Sequence, residues 1–282
     1  MRRPQDIASD VRAMGSVVQL TGAFEGIASV HIARLKDRVA RSEGFFNDLW
    51  QVYTQLRVGK EFLADRQAKP DDIDKDLLIV ITSEGSLSGD IDERLVRSML
   101  KNYDSQAHDI IVIGHHGEIL LKQQAIPFIK AYKLPEQDSK IDTEEMVAEI
   151  QRYRKTTAYY QAYVSLMTQD IRSIELNKAV EERGDQVEIS DDIISDANFI
   201  FEPSVMAVVE YMERSMLGVA MNELIIASKL AQQASRFRAM SAAQTKAREA
   251  ETDFRAQLSH ARRRIKDEQT REIIAALEMR TT

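Results

Sequence analysis

The sequence predicts an α/β fold: a Rossmann-like α/β domain inserted between N- and C-terminal helices that form a long antiparallel coiled coil. Three observations predict it. Apolar residues repeat at alternating spacings of four and three near both ends of the chain, the pattern of a supercoiling helix. No proline lies between Asp6 and Arg66 or after Pro203. Between these stretches the pattern changes to short apolar runs of strand length, separated by amphipathic segments.

The 282 residues are 44% apolar and 29% charged, enough apolar surface for a globular core. The net charge of −7 argues against nonspecific nucleic-acid binding, which needs a basic surface. There are no cysteines, so disulfides, thiolate metal sites and a cysteine nucleophile are excluded, and a reducing cytoplasm fits. No segment approaches the ~18–20 consecutive apolar residues that span a bilayer. Met1 to Asp6 carries charge with no apolar stretch behind it, so no signal peptide is expected.

The first helix is expected from Asp6 to about Arg66, with a seam of Ile7, Val11, Met14, Val18, Thr21, Glu25, Ala28, Ile32, Leu35 and Val39. Gly15, Gly22 and Gly26 lower its intrinsic stability, which predicts the close approach of another helix. The last helix starts at Pro203 and runs from Ser204 to Met279, roughly 110 Å at ~1.5 Å per residue. That length indicates a coiled coil or stalk. Its second half carries the seam Met240, Ala243, Ala247, Ala250, Phe254, Leu258, Ala261 and Ile265. The two seams, near Ile7–Val39 and Met240–Ile265, are expected to pair antiparallel because the chain must leave and return.

In the middle, Leu77 to Thr82 and Asp109 to Ile113 are continuous apolar runs, as in strands buried on both faces. Asp90 to Tyr103 reads as the helix joining them, and Phe128 to Tyr132 as a third, weaker strand. Thr143 to about Gln169 reads as a helix with Thr143 as N-cap ahead of Glu144 and Glu145. Asp170 to Lys178 reads as a further strand, and Glu181 to Ala197 as a loop or short hairpin. The expected division is residues 1–66 and 203–282 for the helices and 67–202 for the insert, whose sheet is parallel or mostly parallel.

Chemical motifs are few. Ser83 to Gly89 follows a strand and contains glycine and serine, but a phosphate loop needs Lys-Ser/Thr after its last glycine, and here Asp90 and Ile91 follow. A structural turn is the better reading. His115 and His116 are adjacent, so their side chains diverge, and no third metal ligand is evident. Glu144, Glu145 and Glu149 form a solvated face at a helix N-terminus. No Ser/His/Asp set stands out, so catalytic, cofactor and metal residues are expected to be absent.

Six short stretches carry a family resemblance. Leu78 to Gly89 reads Leu-Ile-Val-Ile-Thr-Ser-Glu-Gly-Ser-Leu-Ser-Gly, and Ile113 to Gly117 reads Ile-Gly-His-His-Gly. Phe199 to Ser204 reads Phe-Ile-Phe-Glu-Pro-Ser, and Ser235 to Met240 reads Ser-Arg-Phe-Arg-Ala-Met. Leu20 to Glu25 reads Leu-Thr-Gly-Ala-Phe-Glu, and Ala261-Arg262 is followed by Glu272-Ile273. In chain order they resemble the gamma subunit of F-type ATP synthases, collinearly over nearly the whole chain. Gly22 and Phe24 stand where the family has lysine and methionine, and Arg263 where it has glutamine, so the chain resembles a divergent member.

The resemblance implies a non-catalytic central-stalk rotor coupling c-ring rotation to ATP synthesis or hydrolysis. Its implied partners are the alpha and beta subunits, the epsilon subunit and the c-ring, at the cytoplasmic face of the cell membrane, with the membrane reached only through partners. It implies that Phe24, Glu25, Arg236, Met240, Arg262 and Arg263 face the alpha/beta ring. It implies that Gly114, His115, His116, Phe199, Phe201 and Glu202 belong to a foot touching the epsilon subunit and c-ring. Arg236, Arg238, Arg255, Arg262, Arg263, Arg264 and Lys266 make the last helix basic within an acidic chain. They read either as a solvated face or as a surface for acidic partners. The alternatives from other classes are a coiled-coil scaffold with a Rossmann-like domain and a small α/β enzyme with helical extensions. Calorimetry of the purified chain with Mg-ATP should show no stoichiometric micromolar binding; such binding would count against the rotor reading.

Overall fold

In a computed structural model, the structure describes residues 2–55, 73–85, 87–134, 143–176, 178, 180 and 202–278. Helix α1 spans Pro4–Gln55, strand β1 Asp76–Ile81, α2 Ile91–Leu100, β2 His108–Ile113, α3 His115–Gln123 and β3 Lys130–Tyr132. Helix α4 spans Glu144–Ile150, β4 Thr156–Tyr163, β5 Gln169–Glu175 and α5 Val205–Glu278. The expected continuation of α1 to Arg66 and the expected loop at Glu181 to Ala197 lie outside the described residues. Two compact units form, Ser29–Ser235 and Met1–Ala28 with Arg236–Thr282, and α1 and α5 supply residues to both.

In the larger unit the strand order is β3-β2-β1-β4-β5. The first four strands are parallel and β5 runs antiparallel to β4. Alternation along β1 explains the layering. Leu77, Ile79 and Ile81 face α4 and α5, where Met146, Val147, Ile150, Leu217, Met221 and Ile225 cover them. Leu78 and Val80 face α2 and α3, where Leu95, Val96, Met99, Leu120 and Leu121 cover them. A parallel sheet buried on both faces reads as an unbroken apolar run, which is why β1 and β2 stand out in the sequence.

Two expectations are corrected. The helix predicted over Thr143 to Gln169 stops at Ile150, and β4 occupies its second half. Met146, Val147, Ile150 and Tyr153 keep helical spacing and no Gly or Pro interrupts the stretch, so the pattern gives no stop signal. Thr156, Thr157, Tyr159, Tyr160 and Tyr163 are β-branched or aromatic and suit a pleated half-buried surface; Thr156, Thr157 and Tyr159 pair with the free edge of β1. Thr143 stands at the N-cap position with no side-chain capping bond. The stretch Gly114–Gly117, a turn by the family resemblance, is the start of α3, with Gly117 inside the helix.

In the smaller unit the α1 seam is as expected: Ile7, Thr21 and Ala28 are buried, Val11, Met14, Val18 and Glu25 half-buried. The same spacing continues to Ile32 and Leu35, which are buried within the larger unit. Gln244 Nε2 on α5 donates to the Val18 carbonyl at 3.3 Å. A Cβ on Gly22 would lie 2.5 Å from that same nitrogen, and one on Gly15 would lie 3.5 Å from Glu251. Rising numbers on α1 thus meet falling numbers on α5, an antiparallel pair. Gly26 has open space instead, so close approach accounts for Gly22 and not for Gly26. The pairing ends sooner than the sequence suggests. Arg2 sits 5.9 Å over the Phe254 ring, near the start of α1. Beyond Phe254, Leu258 and Ala261 are half-buried, and the last seam position, Ile265, is 42% exposed. Met240→Ala, at a buried seam position, should therefore cost about 2–5 kcal/mol, while Ile265→Ala should stay within about 0.5 kcal/mol. Denaturant melts of the two variants check this; equal losses would contradict the early end of the seam.

Candidate partner-contact surfaces

The head of α3 is built against the end of β1. Thr82 is fully buried, and its hydroxyl lies 3.0 Å from the Ile113 carbonyl and 3.1 Å from the Gly114 carbonyl. The Gly117 N–H donates to the same Thr82 oxygen at 2.9 Å. Gly114 has φ +100°, and a Cβ there would lie 2.2 Å from the Thr82 carbonyl oxygen. Only glycine meets both conditions. The result turns His115 outward, where it pairs with Glu118 at 3.2 Å, and tucks His116 inward.

His116 Nδ1 donates to Asp92 at 2.7 Å. Asp92 is fully buried in the first turn of α2, a favourable place for an acid. Its carboxylate also accepts from the Ser83 N–H at 3.3 Å, the Ser83 hydroxyl, and Gln161 Nε2 at 2.7 Å. A buried carboxylate needs such a full set of donors. Asp92 and Gln161 were not singled out from sequence. They lie 69 positions apart, and only the sheet order brings them together.

Of the expected foot residues, Gly114, His115 and His116 lie together at the head of α3. Gly114 is buried, His115 exposed and His116 half-buried. Glu202 is exposed, just before α5. Phe199 and Phe201 lie outside the described residues.

The residues expected to face a ring fall into two groups. By the register at Gly22 and Gln244, Phe24 and Glu25 lie level with the α5 turn that contains Met240. Phe24 is 37% exposed, while Met240 is 7% exposed and faces into the helix pair. Glu25 and Arg236 are half-buried. Arg262 and Arg263 are exposed, about 33 Å further along α5 from Met240 at ~1.5 Å per residue. There Arg255, Leu258, Ser259, Arg262, Arg263 and Lys266 line one shallow groove. Arg255 is paired with Glu251 one turn away. On the outer side of α1, Val17, Leu20, Phe24 and Ile27 form an exposed apolar row spaced three, four and three. Of this row sequence reading had picked only Phe24, although the spacing was legible. Among the described residues no group of three or more His, Asp or Glu is arranged to hold a metal ion. Among them, too, no helix is long and apolar enough to cross a membrane.

A family model described as ATP synthase matches residues 4–278. The chain is 22% identical to the ATP synthase gamma chain of Chlorobaculum parvum, with 96% of each chain covered. Its fold is similar to that of a chain in the Euglena gracilis mitochondrial ATP synthase OSCP/F1/c-ring assembly. The TM-score is 0.63 and the identity 13%, over 97% of this chain and 94% of that one. It is also similar to a chain of the Tetrahymena thermophila mitochondrial ATP synthase central stalk and c-ring. There the TM-score is 0.58 and the identity 16%, over 79% of this chain and 99% of that one.

The His116–Asp92 contact gives a pH prediction. The hydrogen bond to Asp92 holds the imidazole above its ordinary 6.5, with burial opposing and the charges of Asp92 and Glu93 adding. The folded chain therefore keeps the proton to higher pH than the unfolded chain. The stabilisation is complete below pH 6.5 and is lost as pH rises through the folded-state value. The melting temperature should fall over that window more steeply in the parent than in His116→Gln. Parallel pH profiles for the two proteins would contradict the assignment.

Proposed function

The chain belongs to the ATP synthase gamma-chain family, and from that membership we propose that it is the central-stalk rotor of a rotary ATP synthase. In this role it couples ion-driven rotation of a c-ring to ATP synthesis or hydrolysis in a surrounding catalytic ring. The observation that carries the proposal is the whole-chain family match, joined to an antiparallel helix pair with a bare basic end. The reading supported is a non-catalytic subunit within a catalytic complex. Segments 1–66 and 203–282 form the stalk and segment 67–202 the foot.

Coupling follows from asymmetry. A stalk with an apolar row on one side and a cationic end presents different faces to equivalent catalytic subunits. A partner shifts a conformational equilibrium only through contacts that differ between the states, so each rotor angle favours a different state at each catalytic site. Phe24, Glu25 and Arg236 act at one level of the ring and Arg262 and Arg263 at another, with Met240 supporting the first from inside the pair. Arginine suits acidic partners because its planar fork donates two hydrogen bonds to a carboxylate. His115, His116 and Glu202, together with Phe199 and Phe201, form the foot surface toward the epsilon subunit and c-ring, and Gly114 shapes the turn that presents His115. The chain is held at the cytoplasmic face of the membrane through these partners.

Pull-down from native membranes with identification and stoichiometry of partners tests the role. Recovery with alpha, beta, epsilon and c subunits is expected; an isolated chain with its own turnover would contradict it. Arg262→Ala with Arg263→Ala should lower ATP synthesis and ATP-driven ion pumping in reconstituted vesicles while leaving subunit stoichiometry intact. Each exposed contact is worth only ~0.2–1 kcal/mol, so both are removed together. Full coupling in the double variant would reduce these arginines to a solvated face.

A further inference from the structure

One face of α5 carries two kinds of side chain in sequence. Leu217, Met221 and Ile225 are buried in the apolar core against the sheet. Ser228, Gln232 and Ser235 continue the same row, and all three are also buried. They reach the carboxyl edge of β1 and β4. The strand order reverses between these strands, and open α/β sheets take ligands in the crevice at that point. Here the side chains of α5 fill it. The Ser228 hydroxyl contacts Gln161 Oε1 and lies 3.3 Å from the Ile81 carbonyl. Gln232 Nε2 donates to Gln161 Oε1 at 3.2 Å, and the Ser235 hydroxyl donates to the Ser88 carbonyl at 2.6 Å. Gln161 is the bridge: its carbonyl side receives α5, and its amide nitrogen donates to Asp92 on α2.

We infer that this polar end, built on Asp92, Gln161, Ser228, Gln232 and Ser235, is the junction that transmits torque between the sheet and α5. The inference rests on the rotor reading. Apolar burial holds two surfaces together but has no direction, so the Leu217–Ile225 half resists separation more than twist. Hydrogen bonds weaken steeply when misaligned, and a buried, fully satisfied network rigidifies what it joins. Apolar residues of the same volume would hold the helix at least as firmly as a buried carboxylate network; they would not fix its rotation about its own axis. Asp92, Gln161 and Ser228 are thus positioning residues for coupling.

The test uses the assembled complex with the catalytic ring stalled and a probe on the exposed side of α3. Thermal angular fluctuations of the probe report the stiffness of the path. Gln161→Leu with Ser228→Ala should roughly double the angular variance, the change expected if the polar half carries half of the torsional stiffness. Met221→Ala, in the apolar half, should lower the melting temperature comparably and leave the variance at the parent value. If the first variant does not assemble, Ser228→Ala with Ser235→Ala is read by the same criteria, since Asp92 keeps its donors. An unchanged variance in the assembled variant, or equal widening in Met221→Ala, would overturn the inference and leave the rotor reading standing. A parent complex in which this chain does not rotate would overturn both.

Discussion

The α/β unit depends on a helix that the chain supplies last. Ile79, Ile81, Ile111 and Ile113 form one face of a parallel sheet, and part of their cover is Leu217, Met221 and Ile225 from α5. A parallel sheet must be covered on both faces, so the sheet is complete only when the chain returns. The same α5 is one uninterrupted helix from Val205 to Glu278. The α/β unit therefore completes its core only with its own stretch of α5, Leu217 to Ile225. That burial holds the helix against the sheet, while the hydrogen bonds of Ser228 and Gln232 to Gln161 give the contact its direction.

The helix pair meets a different constraint. Two helices approach closely only where side chains are small, and Ala28 and Ala247 are both buried in the paired stretch. Gly22 leaves room for Gln244 to reach the Val18 carbonyl. Thr21 is buried there with its hydroxyl donating to the Val17 carbonyl at 2.7 Å, so the seam keeps no unsatisfied hydroxyl at that point. A thin pair leaves large apolar residues outside it, which is where Leu20 and Ile27 stand. Past Ala261 the half-buried seam gives way to the exposed cations Arg262, Arg263, Arg264 and Lys266, and surface charge of that kind guides a partner without locking it.

The sequence made the two ends and the sheet centre legible for one reason: each has a single strong period. The α1 seam positions from Ile7 to Leu35 are buried or half-buried as their spacing indicates, and β1 and β2 are the unbroken apolar runs. Strand β4 was hidden because Met146 to Tyr153 mimics a continuing helix and nothing punctuates it. Its Thr and Tyr content was the available signal. The head of α3 was hidden because Gly114 and Gly117 look like a turn; both glycines answer to Thr82, more than 30 positions away. The Asp92–Gln161–Ser228 network has no local signature at all, since an isolated Asp, Gln or Ser reads as surface. The end of the helix pairing depends on where α1 begins against α5, a register that neither seam states alone.

The central claim is that this chain is the turning central stalk of a rotary ATP synthase. The direct measurement is single-molecule tracking of a probe fixed to the α/β unit while an immobilised complex hydrolyses ATP. Unidirectional rotation in discrete steps, at a rate that follows the hydrolysis rate, is the predicted result. A probe that stays at one angle while hydrolysis proceeds would contradict the account.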